Sequence, residues 1–187
     1  EDVRQIRTET QYVVGLDHKK SSGNPAPYTA WGVFRGIEAT ANALFGSDSL
    51  QGKTVAVQGI GAAGMALVDH LYWHGANLIV ADRNEELVKH AQSKYGATAV
   101  SCDEILFVKC DILAPCALGG IVNSKTIPKL NCRAIAGCSN NILLEDDDML
   151  ALVERGILYA PDFVINAGGL INAGLETAPN GYDPTLA

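Results

Sequence analysis

No apolar run in the 187 residues approaches the roughly 18 that a bilayer-spanning helix needs. The opening Glu1-Asp2-Val3-Arg4 lacks the basic-then-apolar grading of a secretory leader. Basic clusters are equally scarce. Beyond His18-Lys19-Lys20 no lysines or arginines gather, and 14 basic against 21 acidic residues leave a net charge of −7. A nucleic-acid partner would require a basic face against its phosphates, so that class drops out. The cysteines Cys102, Cys110, Cys116, Cys132 and Cys138 are odd in number, form no C-x-x-C pair and have no histidine at ligand spacing. Neither a disulfide framework nor a zinc site is indicated, and no metal is expected. Reduced, small, buried thiols point to a cytoplasmic location. An initiator methionine is also missing, and the chain reads as a piece of something longer.

What is present is enough for one sizeable core. Hydrophobic residues make up 48% of the sequence, and a domain of this length hides about 70% of its unfolded surface. Residues 1–13 read as a short helix feeding an extended turn, and LDHKKSSGNPAPY after it is too rich in Ser, Gly, Asn and Pro for helix or central strand. Trp31, Phe34, Ile37, Ala41 and Leu44 then recur at helical spacing, predicting an amphipathic helix over 29–45 that stops near Gly46. Lys19 and Lys20 fall in the polar loop, where both amines are expected to be solvated.

Beyond Gly46 short β-branched runs alternate with helical stretches. Residues 55–57, 78–80, 111–113, 134–136 and 163–165 read as strands, with helices over 62–74, 84–95 and 146–155. Strands apolar on both faces and separated by helices predict an α/β fold, a mostly parallel, doubly wound sheet with helices on both faces. Glu145-Asp146-Asp147-Asp148, the one charge run, reads as a helix opening, where carboxylates suit the positive end of the dipole.

KTVAVQGIGAAGMALVDHL sets Gly59-x-Gly61-x-x-Gly64 directly after a strand and at the start of a helix. Gly59 permits the tight turn, Gly61 lets a pyrophosphate approach the backbone, and Gly64 lets helix and strand pack closely. The phosphates would sit on the free N–H groups of the helix start, around Ala62 and Ala63. The second strand, NLIVAD, ends at Asp82, twenty-three residues after Gly59, where a carboxylate accepts both adenosine ribose hydroxyls. The combination is a Rossmann-type dinucleotide fingerprint. The charge of Asp82 would repel a 2′-phosphate and favours NAD over NADP, while the adjacent Arg83 could pair with that phosphate and pulls the other way.

The ends of parallel strands collect ligands, and three loops there are rich in small residues and asparagine: APCALGG (114–120), GCSNN (137–141) and NAGG (166–169). Amide side chains, both donor and acceptor, suit a nicotinamide carboxamide or a substrate carboxylate; as turn formers they are equally at home. The stretch PDFVINAGGLINAG repeats Asn-Ala-Gly inside an apolar run. An amide buried there without partners would cost about 1–3 kcal/mol.

SSGNPAPYTAWGVFRG, GSDSLQGKTVAVQGIG, DILAPCALGGIVNSKTIP and LYAPDFVINAGGLIN resemble consecutive blocks of the glutamate/leucine/phenylalanine/valine dehydrogenase family, most closely its leucine dehydrogenases, with few gaps from about Glu1 to about Glu176. The resemblance implies an NAD-dependent oxidative deamination of an L-amino acid to its 2-oxo acid and ammonia, hydride leaving the substrate Cα before water attacks the imine. It further implies that Gly59 to Gly64 hold the pyrophosphate and Asp82 the ribose, that Cys116 and Ala117 flank the nicotinamide side, and that Asn141 reaches the nicotinamide ribose or substrate carboxylate. Asn166 would hold the carboxamide. Thr29 matches a threonine near the cleft, and Leu170 and Ala173 match positions lining the substrate side-chain pocket; Asn172 between them is expected to be structural.

The family's two catalytic lysines and their aspartate belong to a preceding domain that nothing here matches. The expected organisation is therefore a linker helix and loop at 1–28 and an NAD-binding domain at 29–187, with no catalytic residue in the chain. Alone it would bind NAD but not turn over; the full-length protein would be a homo-oligomer. Val14, Ala26 and Ile142 each stand where related leucine dehydrogenases carry a hydrogen-bonding side chain. One methylene of pocket shape is worth only about 1–3 kcal/mol in discrimination, so valine, isoleucine, phenylalanine and tryptophan compete with leucine as substrate. Two further readings stay open: a stand-alone dinucleotide-sensing module, and a hydroxy-acid or folate dehydrogenase using Tyr159, His70 or His74, the histidines being expected to face solvent.

Overall fold

The computed structural model describes residues 2–10, 12–16 and 21–186; the expected solvation of Lys19 and Lys20 falls outside them. Helix α1 (Asp2–Glu9) buries no residue. Helix α2 (Ala26–Phe45) begins three residues earlier than the apolar spacing predicts, because Pro25 and Pro27 suit a first helical turn whose N–H groups have no partner in any case. It ends where expected, at Gly46 in left-handed conformation with its N–H on the Asn42 carbonyl.

Strands β1 (Thr54–Gln58), β2 (Asn77–Ala81), β3 (Thr98–Ala99), β4 (Ile112–Pro115), β5 (Ala134–Ile135) and β6 (Leu158–Tyr159) form one sheet in the order β3-β2-β1-β4-β5-β6. Every pairing is parallel. Chain direction reverses its progress across the sheet between β1 and β4, the place where such sheets open a crevice at their carboxyl edge. Helices α3 (Ala62–Trp73) and α4 (Glu85–Tyr95) cross over from β1 to β2 and from β2 to β3, and α5 (Asp148–Glu154) leads into β6.

Alternation along each strand divides the core. Val55 and Val57 face the layer of α2, α3 and α4, with Phe34, Ile37, Leu67 and Tyr95. Ala56 faces the opposite layer, with Leu113, Ile127, Ile142 and Leu152. Helix α2 is tied to α3 by aromatic stacking: Phe34 lies 5.5 Å from Trp31, 5.4 Å from His70 and 4.4 Å from His74 between ring centroids. His74 is exposed as expected, but His70 is half-buried in this stack, and desolvation lowers its basicity.

Residues 163–165 are not a strand. The sixth strand comes earlier, at Leu158-Tyr159, and Phe163-Val164-Ile165 belong to a one-turn helix, α6 (Asp162–Ile165), followed by α7 (Gly168–Gly174). Pro161 has no N–H with which to continue the ladder, and its carbonyl instead accepts the N–H groups of Val164 and Ile165. The short strand β3 lies outside all the β-branched runs. At the acidic run, α5 starts at Asp148, two residues later than predicted, and the buried Asp148 carboxylate accepts the Glu145 N–H at 3.0 Å.

Candidate functional site

Gly59 leaves β1 at φ +88°, and its N–H returns to the Ala81 carbonyl at the end of β2. Gly61 caps α3 and is exposed; a Cβ there would meet nothing within 4 Å. Ala62 is exposed and Ala63 half-exposed, and the first turn of α3 carries no acidic residue. Free N–H groups and the positive end of the helix dipole therefore face open space, a ready anion site. Gly64 is buried, and a Cβ on it would lie 2.0 Å from the Gly59 carbonyl oxygen.

Asp82 stands beside this turn. One carboxylate oxygen accepts the Ile60 N–H at 2.8 Å and the other accepts the Asn84 N–H at 2.8 Å. Capping of α4 falls to Asn84, whose side chain accepts the Glu86 N–H. Asp82 is thus held in place with one lone pair on each oxygen still open. Arg83 next to it is exposed.

From the turn the crevice runs past Cys116. The Cys116 N–H is on the Gln58 carbonyl, and its Cβ is 3.4 Å from the place a Gly64 Cβ would take. Ala117 is exposed and packs on Gly59, where an added Cβ would be 2.6 Å from the Ala117 methyl carbon. Beyond the cysteine opens a cleft of about 550 Å³ lined by Pro25, Thr29, Cys138, Asn140, Phe163, Asn166, Ala167, Gly169, Leu170 and Ala173. It gathers all three residues expected at the substrate pocket, Thr29, Leu170 and Ala173, together with Asn166.

Asn166 donates to the Asn140 side-chain oxygen at 2.7 Å and to the Cys138 carbonyl at 3.2 Å, which leaves its own oxygen free toward the cleft region. Asn140, not Asn141, lines that cleft. Asn141 is exposed, adopts the left-handed φ of 52°, and its carbonyl accepts the Gly120 N–H. Gly168 and Gly169 let α7 press on α2: added Cβ atoms would meet the Tyr28 carbonyl at 2.1 Å and Thr29 Oγ1 at 2.3 Å.

Buried anchors fix these loops. Asp162 accepts the Ile142 N–H at 2.8 Å and the Tyr159 hydroxyl at 3.0 Å, locking the 137–142 loop to α6. Burial pushes the Tyr159 phenol upward, and its proton is committed to Asp162. Asn172, as expected, is structural; it is 1% exposed, donates to the Ser22 carbonyl and accepts from the Tyr182 hydroxyl. The second Asn-Ala-Gly triplet therefore holds the loop ahead of α2 rather than a ligand.

The crevice has unmet polar capacity. Among the described residues, Gln58 Oε1 and Ser139 Oγ are buried without a partner, both at the carboxyl edge of the sheet. Native proteins leave few such atoms. With the open α3 terminus, they fit a polar, anionic dinucleotide at this edge.

The family pattern described as "Glutamate/Leucine/Phenylalanine/Valine dehydrogenase" matches residues 76–183. The chain belongs to that family. It is 51% identical to a leucine dehydrogenase of Thermoactinomyces intermedius over 94% of its own length and 48% of the relative's. It is 48% identical to an L-tryptophan dehydrogenase of Nostoc punctiforme over its whole length and 52% of the relative's. The crystal structure of the L-tryptophan dehydrogenase from that organism superimposes with a TM-score of 0.86 at 45% identity, covering 98% of this chain and 52% of the other. The chain thus spans about half the length of the curated relatives it matches.

For this family member, sequence reasoning missed Asp162, whose role depends on a helix that the β-branched run disguised, and Cys138, which reaches the cleft because β5 neighbours β4; the amide of Asn140 was a candidate from the GCSNN loop, and it lines the cleft where the resemblance pointed to Asn141. GCSNN marked the loop; which of its residues would turn inward depends on the register.

Proposed function

We propose that this chain is the NAD-binding part of a leucine-type L-amino-acid dehydrogenase that catalyses reversible oxidative deamination to the 2-oxo acid and ammonia. One observation carries the reading: the open N-terminus of α3, flanked by Asp82, continues past Cys116 into a cleft that holds Thr29, Asn166, Leu170 and Ala173. In this reading the N–H groups from Gly61 to Gly64 receive the pyrophosphate, and the free lone pairs of Asp82 take the ribose hydroxyls. Cys116 and Ala117 floor the nicotinamide half, and Asn166 meets the carboxamide. Asn141, exposed in the same loop, is assigned the ribose or substrate carboxylate. NAD, when bound, supplies the acceptor for the substrate's Cα hydride.

Thr29 borders the reacting end, while Leu170 and Ala173 form an apolar wall for the amino-acid side chain. Among the described residues, the cleft lining contains no carboxylate, imidazole or amine, so proton transfer is assigned to groups in the rest of the full-length protein, and this chain alone is expected to bind cofactor without turnover. Leucine is favoured over tryptophan and phenylalanine by the identity to leucine dehydrogenases, although a 42% identical relative is a phenylalanine dehydrogenase of Lysinibacillus sphaericus. The free thiols support a reducing, cytoplasmic location, and assembly as a homo-oligomer completes the reading.

Calorimetry on the chain tests the cofactor: NADH is expected to bind at least about tenfold tighter than NADPH, and the reverse order overturns the role of Asp82. Assay of the full-length protein with NAD and leucine, phenylalanine or tryptophan tests the substrate. A preference for an aromatic amino acid would overturn the leucine assignment, and no NADH from any of the three would overturn the reaction.

A further inference from the structure

Two of the five thiols meet inside the crevice. Strands β4 and β5 pair with Leu113 opposite Ile135, and the chains stay together beyond the strands: a Cβ on Gly137 would lie 2.1 Å from the Pro115 carbonyl oxygen. Cys116 and Cys138 follow directly on these two neighbours. Both are half-buried and both pack on the α2–α3 side of the sheet. Neighbouring strands run about 4.8 Å apart, within the Cα separation of roughly 4.4–6.8 Å that a disulfide accepts. Access is available through the cleft, which Cys138 lines.

We infer that Cys116 and Cys138 form a dithiol modification site, oxidised by small-molecule disulfides to an intrachain bond across the floor of the crevice. The other three cysteines differ in setting. Cys102 is exposed; Cys110 and Cys132 also neighbour one another around a separate pocket, but burial pushes the Cys110 thiol up to about 12 and the Cys132 thiol up to about 11, which suppresses the nucleophilic thiolate in both.

Within the pair the roles are unequal. Its hydrogen bond with Cys116, reinforced by burial, raises the Cys138 thiol well above its ordinary value; the first attack is assigned to Cys116 and the resolving step to Cys138. The Cys116 thiolate displaces one thiolate from the disulfide RS–SR and forms a mixed disulfide. Cys138 then gives its proton to solvent and its sulfur attacks Cys116, expelling the second thiolate. The chain loses two electrons and two protons; RS–SR becomes two RSH. Any effect on cofactor binding rests on the function proposed above, since the new bond would bridge the floor between the Gly59–Gly64 turn and the cleft.

The experiment exposes the chain carrying Cys102→Ser to oxidised glutathione, then quenches, alkylates and digests with trypsin plus Asp-N, which separates the cysteines from one another. The expected product joins the Cys116 and Cys138 peptides, retains no glutathione and reverts with dithiothreitol. NADH affinity is expected to fall about tenfold or more on oxidation and to recover on reduction. Cys138→Ser should instead keep glutathione on Cys116. Separate glutathionylation or alkylation of both thiols, or a bond between any other pair, overturns the inference. Should the joined peptide form in a chain whose reduced state does not bind NADH, the bond stands and the cofactor reading fails.

Discussion

Gly64 packs so closely on Gly59 that a single methyl group would sit 2.0 Å from the Gly59 carbonyl oxygen, whereas the same methyl on Gly61 would meet nothing within 4 Å. The two substitutions should therefore part company. Gly64→Ala forces α3 away from β1 and is expected to cost about 1–3 kcal/mol of stability, as overpacking generally does, along with NADH affinity. Gly61→Ala should leave the melting temperature nearly unchanged yet weaken NADH binding, because it blocks the face on which the pyrophosphate is proposed to lie. Melting curves and calorimetry on both variants check this. A Gly61→Ala chain that binds NADH normally would remove the phosphates from that helix end.

Asp82 joins structure to recognition, with each oxygen already taking one backbone N–H. Asp82→Ala should leave the Ile60 and Asn84 donors without acceptors and cost about 1–3 kcal/mol. Asp82→Asn keeps an acceptor for one donor and removes the charge, so it should lose less stability while narrowing the preference for NADH over NADPH. The measurement is the ratio of the two affinities beside the melting temperature of each variant.

Buried Asp162, to which the sequence reading assigned no role, should prove important to the cleft. Asp162→Ala strands the fully buried Ile142 N–H and the Tyr159 hydroxyl and is expected to cost about 1–3 kcal/mol. Tyr159→Phe removes one partner of the carboxylate and the long 3.4 Å acceptor of the Asp162 N–H but leaves the Ile142 N–H paired, so its loss should be smaller. Chemical denaturation of the two variants gives the order; equal losses would mean that the tyrosine, not the loop N–H, is the principal partner.

Much of this was legible from the residues alone. The alternation of apolar runs with helical spacing gave four of the strands and the helices between them, and the Gly59–Gly64 spacing with Asp82 located the tight turn into α3 and the carboxylate beside it, because those signals are local. What stayed hidden depends on the sheet. β3 has only two residues, and nothing local separates it from a loop. Phe163-Val164-Ile165 has strand composition but lies beyond an edge already closed by Leu158-Tyr159, and Pro161 turns it into helix. Asn140 and Asn141 are adjacent and chemically identical in sequence; in the fold Asn140 lines the cleft while Asn141 takes a left-handed conformation.

Glu176 supplies a pH-dependent clasp. Burial tends to raise its carboxyl pKa, but hydrogen bonds from the Ser22 hydroxyl and N–H, the Gly15 N–H and the Ser21 hydroxyl outweigh it and hold the group below its ordinary value. A depressed folded pKa stabilises above the unfolded pKa, about 4.3 for glutamate, and the contribution is lost as pH falls through the folded value. At neutral pH, Glu176→Gln should melt below the unsubstituted chain, since an amide oxygen replaces a carboxylate that accepts four hydrogen bonds. The gap should hold down to about pH 5 and close as the pH falls below the glutamate range, where both side chains are neutral. Melting temperatures from pH 7 to pH 3 test this. A gap that stays constant across that range would mean that the clasp does not depend on the charge of Glu176.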